Sequence, residues 1–381
     1  MKGLPFQLSD NATLALDAIL GKPVKGIPTW QWYPMEHAII ERVAGAPEGA
    51  YRREPEATYL RMMRNSGVCF VDQYIPDNPL SIGTCGYEAD AGHGATTGAA
   101  DVVIDGMTID SPEAVVAHME RFVFPALQKA ARDFDADARV KAIIDGERKA
   151  QETLGPAVLK SPYGYVSLPG LGYFRYGYIN YFSAYALYPE VMARDFSLQA
   201  DYALLINRAA LRAFREGELP PLYRLDHDMA DSRGTLVDIR SLDRIWFPHF
   251  ARCLAPLLES EVRLIWHCDG NLSQMVPRLL DVGLKVFQGF QYEDGMDYEK
   301  ICRMKTRDGD DLTIIAGVSV TRTLPRGTPE DVRREMEWLV RHGPRRGLFL
   351  GASSSMTPGV SWDNVQALLE GFAYYRTHGR G

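Results

Sequence analysis

The residues best suited to chemistry stand at the ends of short apolar runs. The first group is Asp226-His227-Asp228, followed by Met229-Ala230-Asp231-Ser232-Arg233-Gly234. Two carboxylates flanking a histidine at a strand end can bind a metal, hold a base or fix a polar substrate. The same residues serve equally well to cap and brace a loop. The second group is Trp266-His267-Cys268-Asp269-Gly270-Asn271. His267 and Asp269 alternate, so an extended backbone points both to one side. That suits a metal pair or an acid/base pair, against the plainer reading of a polar strand end capped by Asp269 or Asn271. The third is Gly351-Ala352-Ser353-Ser354-Ser355-Met356-Thr357-Pro358. Its serines suit carboxylate or phosphate oxygens, or a small-residue turn. The strand–GxSxG–helix context of a serine hydrolase is missing.

Further polar residues follow other runs: Asp72, Tyr74 and Asp77 after one, Gln288, Gln291 and Tyr292 after another. The stretch Tyr173 to Tyr188 is dense in aromatics and suits either a wall for a flat ligand or packing. His93 stands alone in a Gly-rich stretch and is given no role. Neighbouring parallel strand ends stand about 5 Å apart. His267 and Asp269 could therefore share a divalent ion, zinc for example, with Asp226, His227 and Asp228.

The elements that must position these groups alternate. Candidate strands are Val68–Asp72, Tyr163–Leu168, Tyr223–Asp226, Arg263–His267, Val286–Gln288, Leu312–Gly317 and Leu348–Gly351, with an eighth near Ile27–Trp32. Between them lie helix starts such as Ser111-Pro112-Glu113 and Thr328-Pro329-Glu330-Asp331, with a capping residue, then proline, then acids near the positive end of the dipole. Gly343-Pro344 stops the second of these, and Ser361-Trp362-Asp363-Asn364 opens a last helix. Alternating strands and helices imply a parallel sheet, either closed into a barrel or open and doubly wound. No GxGxxG or Walker-type loop follows any strand, which weighs against the nucleotide-binding open sheet.

Composition narrows the function classes. The 381 residues carry a formal net charge of −7, with 46% hydrophobic and 24% charged residues. An acidic chain without a long basic run is not a general nucleic-acid binder. Five cysteines (Cys69, Cys85, Cys253, Cys268 and Cys302) without a CxxC pair do not suggest a disulfide framework. No basic-then-apolar leader and no run of ~20 apolar residues is present. The expected compartment is the cytoplasm, with no membrane and no nucleic acid as partner.

The order of motifs resembles the uroporphyrinogen decarboxylase-like superfamily, best from Leu222 to Phe372. His267-Cys268-Asp269-Gly270-Asn271 resembles the H-x-C-G-N of its zinc-dependent, corrinoid-linked methyltransferases. Ile315-Ala316-Gly317-Val318 and Arg326-Gly327-Thr328-Pro329-Glu330-Asp331-Val332 resemble their L-x-G-N and G-T-P-E-E-V. Asp363-Asn364-Val365 resembles their E-N-V, and Asp228 through Gly234 their D-D-x-x-x-x-x-G. The resemblance implies a single (β/α)₈ TIM-type barrel over residues 1–381, with residues 1–66 as an N-terminal extension packed on it, and a site at the C-terminal strand ends.

The departures bear on chemistry. Asp269 stands where the methyltransferases have the first zinc cysteine, and Ser354 where they have the second. Only His267 of their ligand set remains, and thiolates are what suits zinc for thiol activation. The decarboxylases' arginine-bearing M-R-Q-A-G-R segment corresponds to Trp30-Gln31-Trp32-Tyr33-Pro34-Met35-Glu36, which has no arginine. No corrinoid-binding D-x-H-x-x-G segment occurs, since Asp90-Ala91-Gly92-His93 has the wrong spacing, so any corrinoid would arrive on a partner protein. The expectation is a corrinoid-linked methyltransferase or demethylase acting on a small methylated or aromatic molecule. Asp228, His267 and Asp269 are its expected catalytic centre, and His267 and Asp269 its candidate metal ligands. Asp72, Tyr74, His227, Gln288, Tyr292 and Ser354 line the expected pocket. The alternatives are a cofactor-independent decarboxylase and a non-catalytic ligand-binding barrel.

Overall fold

The computed structural model describes residues 4–76, 102–289 and 291–380. Asp77, Cys85, His93 and the Gly92 to Ala100 stretch lie outside the described residues. The described chain closes a ring of parallel strands. The first position is residues 29–30. Next come β1 (Phe70–Val71), the antiparallel hairpin β2 (Val102–Ile104) and β3 (Met107–Ile109), and β4 (Leu159–Lys160). β5 (Leu222–Asp226) is followed by a small hairpin, β6 (Ala230–Asp231) and β7 (Gly234–Thr235). β8 (Arg263–His267), β9 (Val286–Gln288), β10 (Thr313–Val318) and β11 (Leu348–Ala352) complete the wall.

Parallel pairing runs β5-β8-β9-β10-β11 in one sheet and β1-β4 in another. Three single bridges join these into a closed barrel: Tyr163 with Arg224, Trp30 with Phe70, and Thr29 with Leu350. The ring thus has eight positions, as the motifs imply, and both hairpins lie outside it. Residues 1–66 are more than an extension packed on a finished barrel, since residues 29–30 form one of its eight positions.

β10 and β11 are buried along their whole length, as expected for strands between a barrel interior and a helical layer. Gly317 in β10 has no room for a side chain, because a Cβ there would stand 2.1 Å from the Ala352 carbonyl carbon. Helices cover the outside. The helix Pro329–His342 starts with a complete capping box between Thr328 and Asp331 and buries Val332, Met336, Leu339 and Val340. The helix Trp362–His378 opens at Ser361, and Asn364 donates to the carbonyls of Leu324 and Gly327. Among the described residues no helix is long and apolar enough to cross a membrane.

One strand lies earlier than its sequence suggests. The expected Tyr163–Leu168 strand is replaced by β4 at Leu159–Lys160, with only Tyr163 still bridging. Gly164 adopts φ 78°, which turns the chain out of the ladder. The backbone of Ser167 then finds its partners on a side chain: Asn207 accepts from its N–H at 2.8 Å and donates to its carbonyl at 2.9 Å. A helix side chain has taken the place of a neighbouring strand.

Candidate active site at the barrel mouth

At the C-terminal ends of the strands, two polar groups meet. The first centres on Arg224, which lies two residues before Asp226 on β5 and is almost fully buried. Its guanidinium stands 3.5 Å from Asp72 Oδ2 and 3.0 Å from Asp226 Oδ2. The rings of Trp30 and Tyr163 flank it at 5.7 and 5.6 Å. Asp72 is wholly buried. Its Oδ1 accepts from the Tyr33 hydroxyl at 2.6 Å, the Gln73 amide at 2.7 Å and Trp30 Nε1 at 3.4 Å. Burial alone would raise the Asp72 carboxyl, but Arg224, Tyr33 and Gln73 outweigh it and hold it below the ordinary range. Burial likewise works against the Arg224 charge, and the two carboxylates more than restore it. Tyr33 reaches Asp72 from a left-handed backbone, φ 42°, immediately before Pro34, a conformation that sterics oppose for a residue preceding proline.

The second group is made by β8 and its neighbours. The register sets Asp226, His267 and Gln288 side by side on adjacent strands. Gln288 donates across the barrel to the Ser353 carbonyl at 3.3 Å, so this row faces inward. Asp269 accepts from the Ser354 hydroxyl at 3.3 Å, and its backbone N–H donates to Asp228 Oδ1 at 3.4 Å. Burial first, then the negative charge of Asp228, raises the Asp269 carboxyl to about 6. Asp228 is also raised, by burial and by Asp226. His267 is pushed down to about 4 by burial, with Arg224 adding to the effect, so it is a neutral imidazole at neutral pH. Among the described residues, five buried atoms of the two groups have no hydrogen-bond partner: Asp72 Oδ2, Arg224 Nε, His267 Nδ1, Asp269 Oδ1 and Gln288 Oε1. Buried polar atoms are seldom left so in proteins, and here they stand at the C-terminal strand ends of a barrel, where water or a ligand can meet them.

Two glycines shape this end. Gly270 has φ 89°, and a Cβ there would stand 2.7 Å from the Asp231 carbonyl oxygen. That close approach lets the Asn271 N–H donate to Asp231 at 2.8 Å while Gln291 accepts from the Gly270 N–H at 2.7 Å. Gly289 has φ 83°, and a Cβ there would lie 2.8 Å from His267 Nδ1. It leaves the imidazole its space.

Of the expected site residues, Asp72, Asp228, His267, Asp269, Gln288 and Ser354 converge on this mouth. Three do other work. His227 accepts the Leu171 amide at 2.7 Å through Nε2 and is held down to about 4 by burial, so it braces the loop after β4. Tyr74 turns away to donate to Glu56 at 3.1 Å. Tyr292 packs its ring on Trp338, behind the wall. The aromatic stretch forms two helices, Tyr173–Tyr176 and Tyr178–Leu187, and Tyr173 donates to the Asp228 carbonyl at 2.8 Å.

Sequence reasoning missed Arg224, together with Tyr33 and Tyr163. It left the mouth without a cation because it looked for arginine only in the Trp30–Glu36 segment. The signal was present: an arginine inside the apolar run Leu222-Tyr223-Arg224-Leu225 must be buried and therefore paired.

The expected metal site does not fit. Among the described residues no group of three or more His, Cys, Asp or Glu is placed to hold an ion. The donor types agree with that. Cys268 is fully buried and accepts the Met229 amide at 3.3 Å, and burial pushes its thiol up to about 12. His227 is committed to its loop, and Ser354 supplies no thiolate. The places of His267 and Asp269 suit substrate-facing groups better than metal ligands.

No family model matches the sequence, and no curated protein matches it. Among solved structures, a methyltransferase from Methanosarcina mazei aligns over 96% of this chain and 98% of its own, at 15% identity and a TM-score of 0.54. A B12-independent methionine synthase from Shewanella sp. W3-18-1 aligns over 62% of this chain and 65% of its own, at 12% identity and a TM-score of 0.39. The chain-long likeness to the first is one of fold. It agrees with the (β/α)₈ barrel that the motifs imply.

Proposed function

We propose that the chain is an enzyme of the methyl-transfer kind that takes a methyl group from a small substrate held in the barrel mouth. The observation that carries this reading is Asp269. It stands at the end of a barrel strand, where this architecture places catalysis. It lies beside Asp228 and two residues from a neutral His267, with a buried oxygen that meets no donor among the described residues. A heteroatom parts from its methyl group as a neutral product only when it carries a proton, whether the substrate brings that proton or a neighbouring acid supplies it. A carboxyl raised to about 6 can exchange that proton at neutral pH. Asp228 and Gln288 hold the heteroatom against Asp269, and the Asp72–Arg224–Asp226 chain fixes the opposite wall. The methyltransferase-like motifs and the fold shared with a methyltransferase support the assignment. The acceptor that the sequence resemblance implies is a corrinoid carried by a partner protein, and the roles of these side chains do not depend on it.

The test is a panel of methylated amines, ethers and thioethers, and of carboxylic acids, incubated with purified protein and either a thiol or a reduced free corrinoid. Demethylated product in the mass spectrum is expected. Release of carbon dioxide from an acid without any methyl transfer would instead make the protein a lyase. Tight binding with no turnover of any kind would make it a ligand-binding barrel.

A further inference from the structure

The charges at the mouth do not balance, and the imbalance lies on one side. Among the described residues Arg224 is the cation in contact with the mouth's carboxylates, and Asp72 and Asp226 already occupy both ends of its guanidinium, while Lys160 nearby is paired with Glu147. Asp226 also accepts from Tyr163 at 3.3 Å. Asp228 and Asp269 are left over: among the described residues neither has a Lys, Arg or His within ion-pair distance. Beside them stand acceptors that meet no donor. Among the described residues Asp269 Oδ1 has none, and Gln288 Oε1, on a side chain only 3% exposed, has at its side only the neighbouring His267 imidazole, which makes no well-formed bond to it. His267, 7% exposed and two residues before Asp269 on the same inward row, leaves Nδ1 unpartnered.

Such a wall costs free energy unless something brings donors or positive charge to it. Two neighbouring carboxylates repel each other, and a buried acceptor without a partner loses its hydration for nothing. A substrate carboxylate would add to the repulsion. A neutral ether would leave the acceptors unmet. We propose that the substrate is a cation, a small N-methylated amine bound as its ammonium form, with its N–H turned to Asp269 and Gln288. The carboxylate of Asp228 would complete the surroundings of the charge. This deepens the methyl-transfer reading and rests on it for the turnover of the bound amine. The preference for a cation rests on the wall alone.

Three molecules of one shape and different charge decide it. N,N-dimethylaminoethanol is protonated at neutral pH, isopentyl alcohol is its neutral carbon counterpart, and isovalerate carries the opposite charge. Calorimetry on the full chain at low ionic strength should show the ammonium binding at least about tenfold more tightly than the alcohol, since one partly desolvated charge pair is worth that much. Isovalerate should be the weakest. Asp269→Asn and Asp228→Asn, each checked for an unchanged melting transition, should each reduce the ratio toward unity. The ratio in the wild-type protein needs no variant to be read. Equal binding of ammonium and alcohol, tighter binding of isovalerate, or binding of none of the three would overturn the proposal. Selective ammonium binding without methyl transfer would leave it standing and remove only the reading of the reaction.

Discussion

Replacing Arg224 with methionine tests how the mouth is built. The guanidinium and the Asp72 carboxylate are 6% and 1% exposed, so the pair lies in low dielectric. Breaking a buried pair by removing one partner costs about 3–5 kcal/mol, because it strands the other charge. Asp72 keeps three donors on Oδ1, which places the expected cost near the lower end, about 3 kcal/mol. Asp226 adds little, since its side chain is 34% exposed and water can take over.

The pH dependence gives the sharper reading. In the wild type, Asp72 is held below its unfolded value. Its contribution to stability is therefore present above about pH 3.9 and lost as the pH falls through the folded value. Without Arg224, burial dominates and raises the carboxyl above the unfolded value. The variant then gains stability on acidification, and its deficit shrinks between neutral pH and about pH 5. Asp72→Asn in the same chain should recover part of the loss, giving a positive coupling in a double-mutant cycle. Urea unfolding of the four proteins at both pH values measures this. A deficit under about 1 kcal/mol, or one that does not change with pH, would refute the assignment of Arg224 as the counter-charge of Asp72.

Other outcomes follow from single observations. Gly289→Ala puts a Cβ 2.8 Å from His267 Nδ1 on a positive-φ backbone, so methyl-transfer activity should fall by at least about tenfold with the fold retained; unchanged kinetics would mean the crowding is absorbed elsewhere. His267 is held at about 4, so the unfolded chain takes up a proton near pH 6.5 while the folded one does not. Stability is therefore lost as the pH falls from about 6.5 to the folded value, and one such proton gives a slope of at most roughly 1.4 kcal/mol for each step of one in pH. His267→Gln should remove that part of the slope, and an unaltered slope in pH-dependent unfolding contradicts this. Burial keeps the Cys268 thiol protonated at about 12, so peptide mapping after alkylation of the native protein should find Cys268 unlabelled, and fast labelling would show it exposed.

The alternation of strands and helices was legible because the strands are buried runs that end in polar residues and the helices carry capping residues that act locally; closure into a barrel was implied only by the motif resemblance. The β8 cluster was legible for the same reason: alternation alone puts His267 and Asp269 on one face. What could not be read depended on contacts far apart in sequence. Asn207 replaces a strand neighbour for Ser167 from 40 residues away, so the strand before Gly164 lay earlier than the pattern suggested. His227 has the right residue type and the right place, yet its Nε2 is claimed by the Leu171 amide 56 residues upstream. Arg224 was visible but was read as part of a strand, because its two carboxylate partners come from β5 itself and from the end of β1. Whether a third ligand joins His267 and Asp269 is also set by contacts that alternation does not fix, and among the described residues no group of three or more His, Cys, Asp or Glu is placed to hold an ion.

The most direct test of the central claim is the rate of methyl transfer by Asp269→Asn. The asparagine keeps the shape and the contact with Ser354 but cannot exchange a proton. With the best substrate from the panel, kcat/KM should fall by roughly 10²–10⁴, the range for loss of acid/base help, with the melting transition intact. A variant that transfers methyl groups as fast as the wild type would contradict a proton-exchanging role for Asp269.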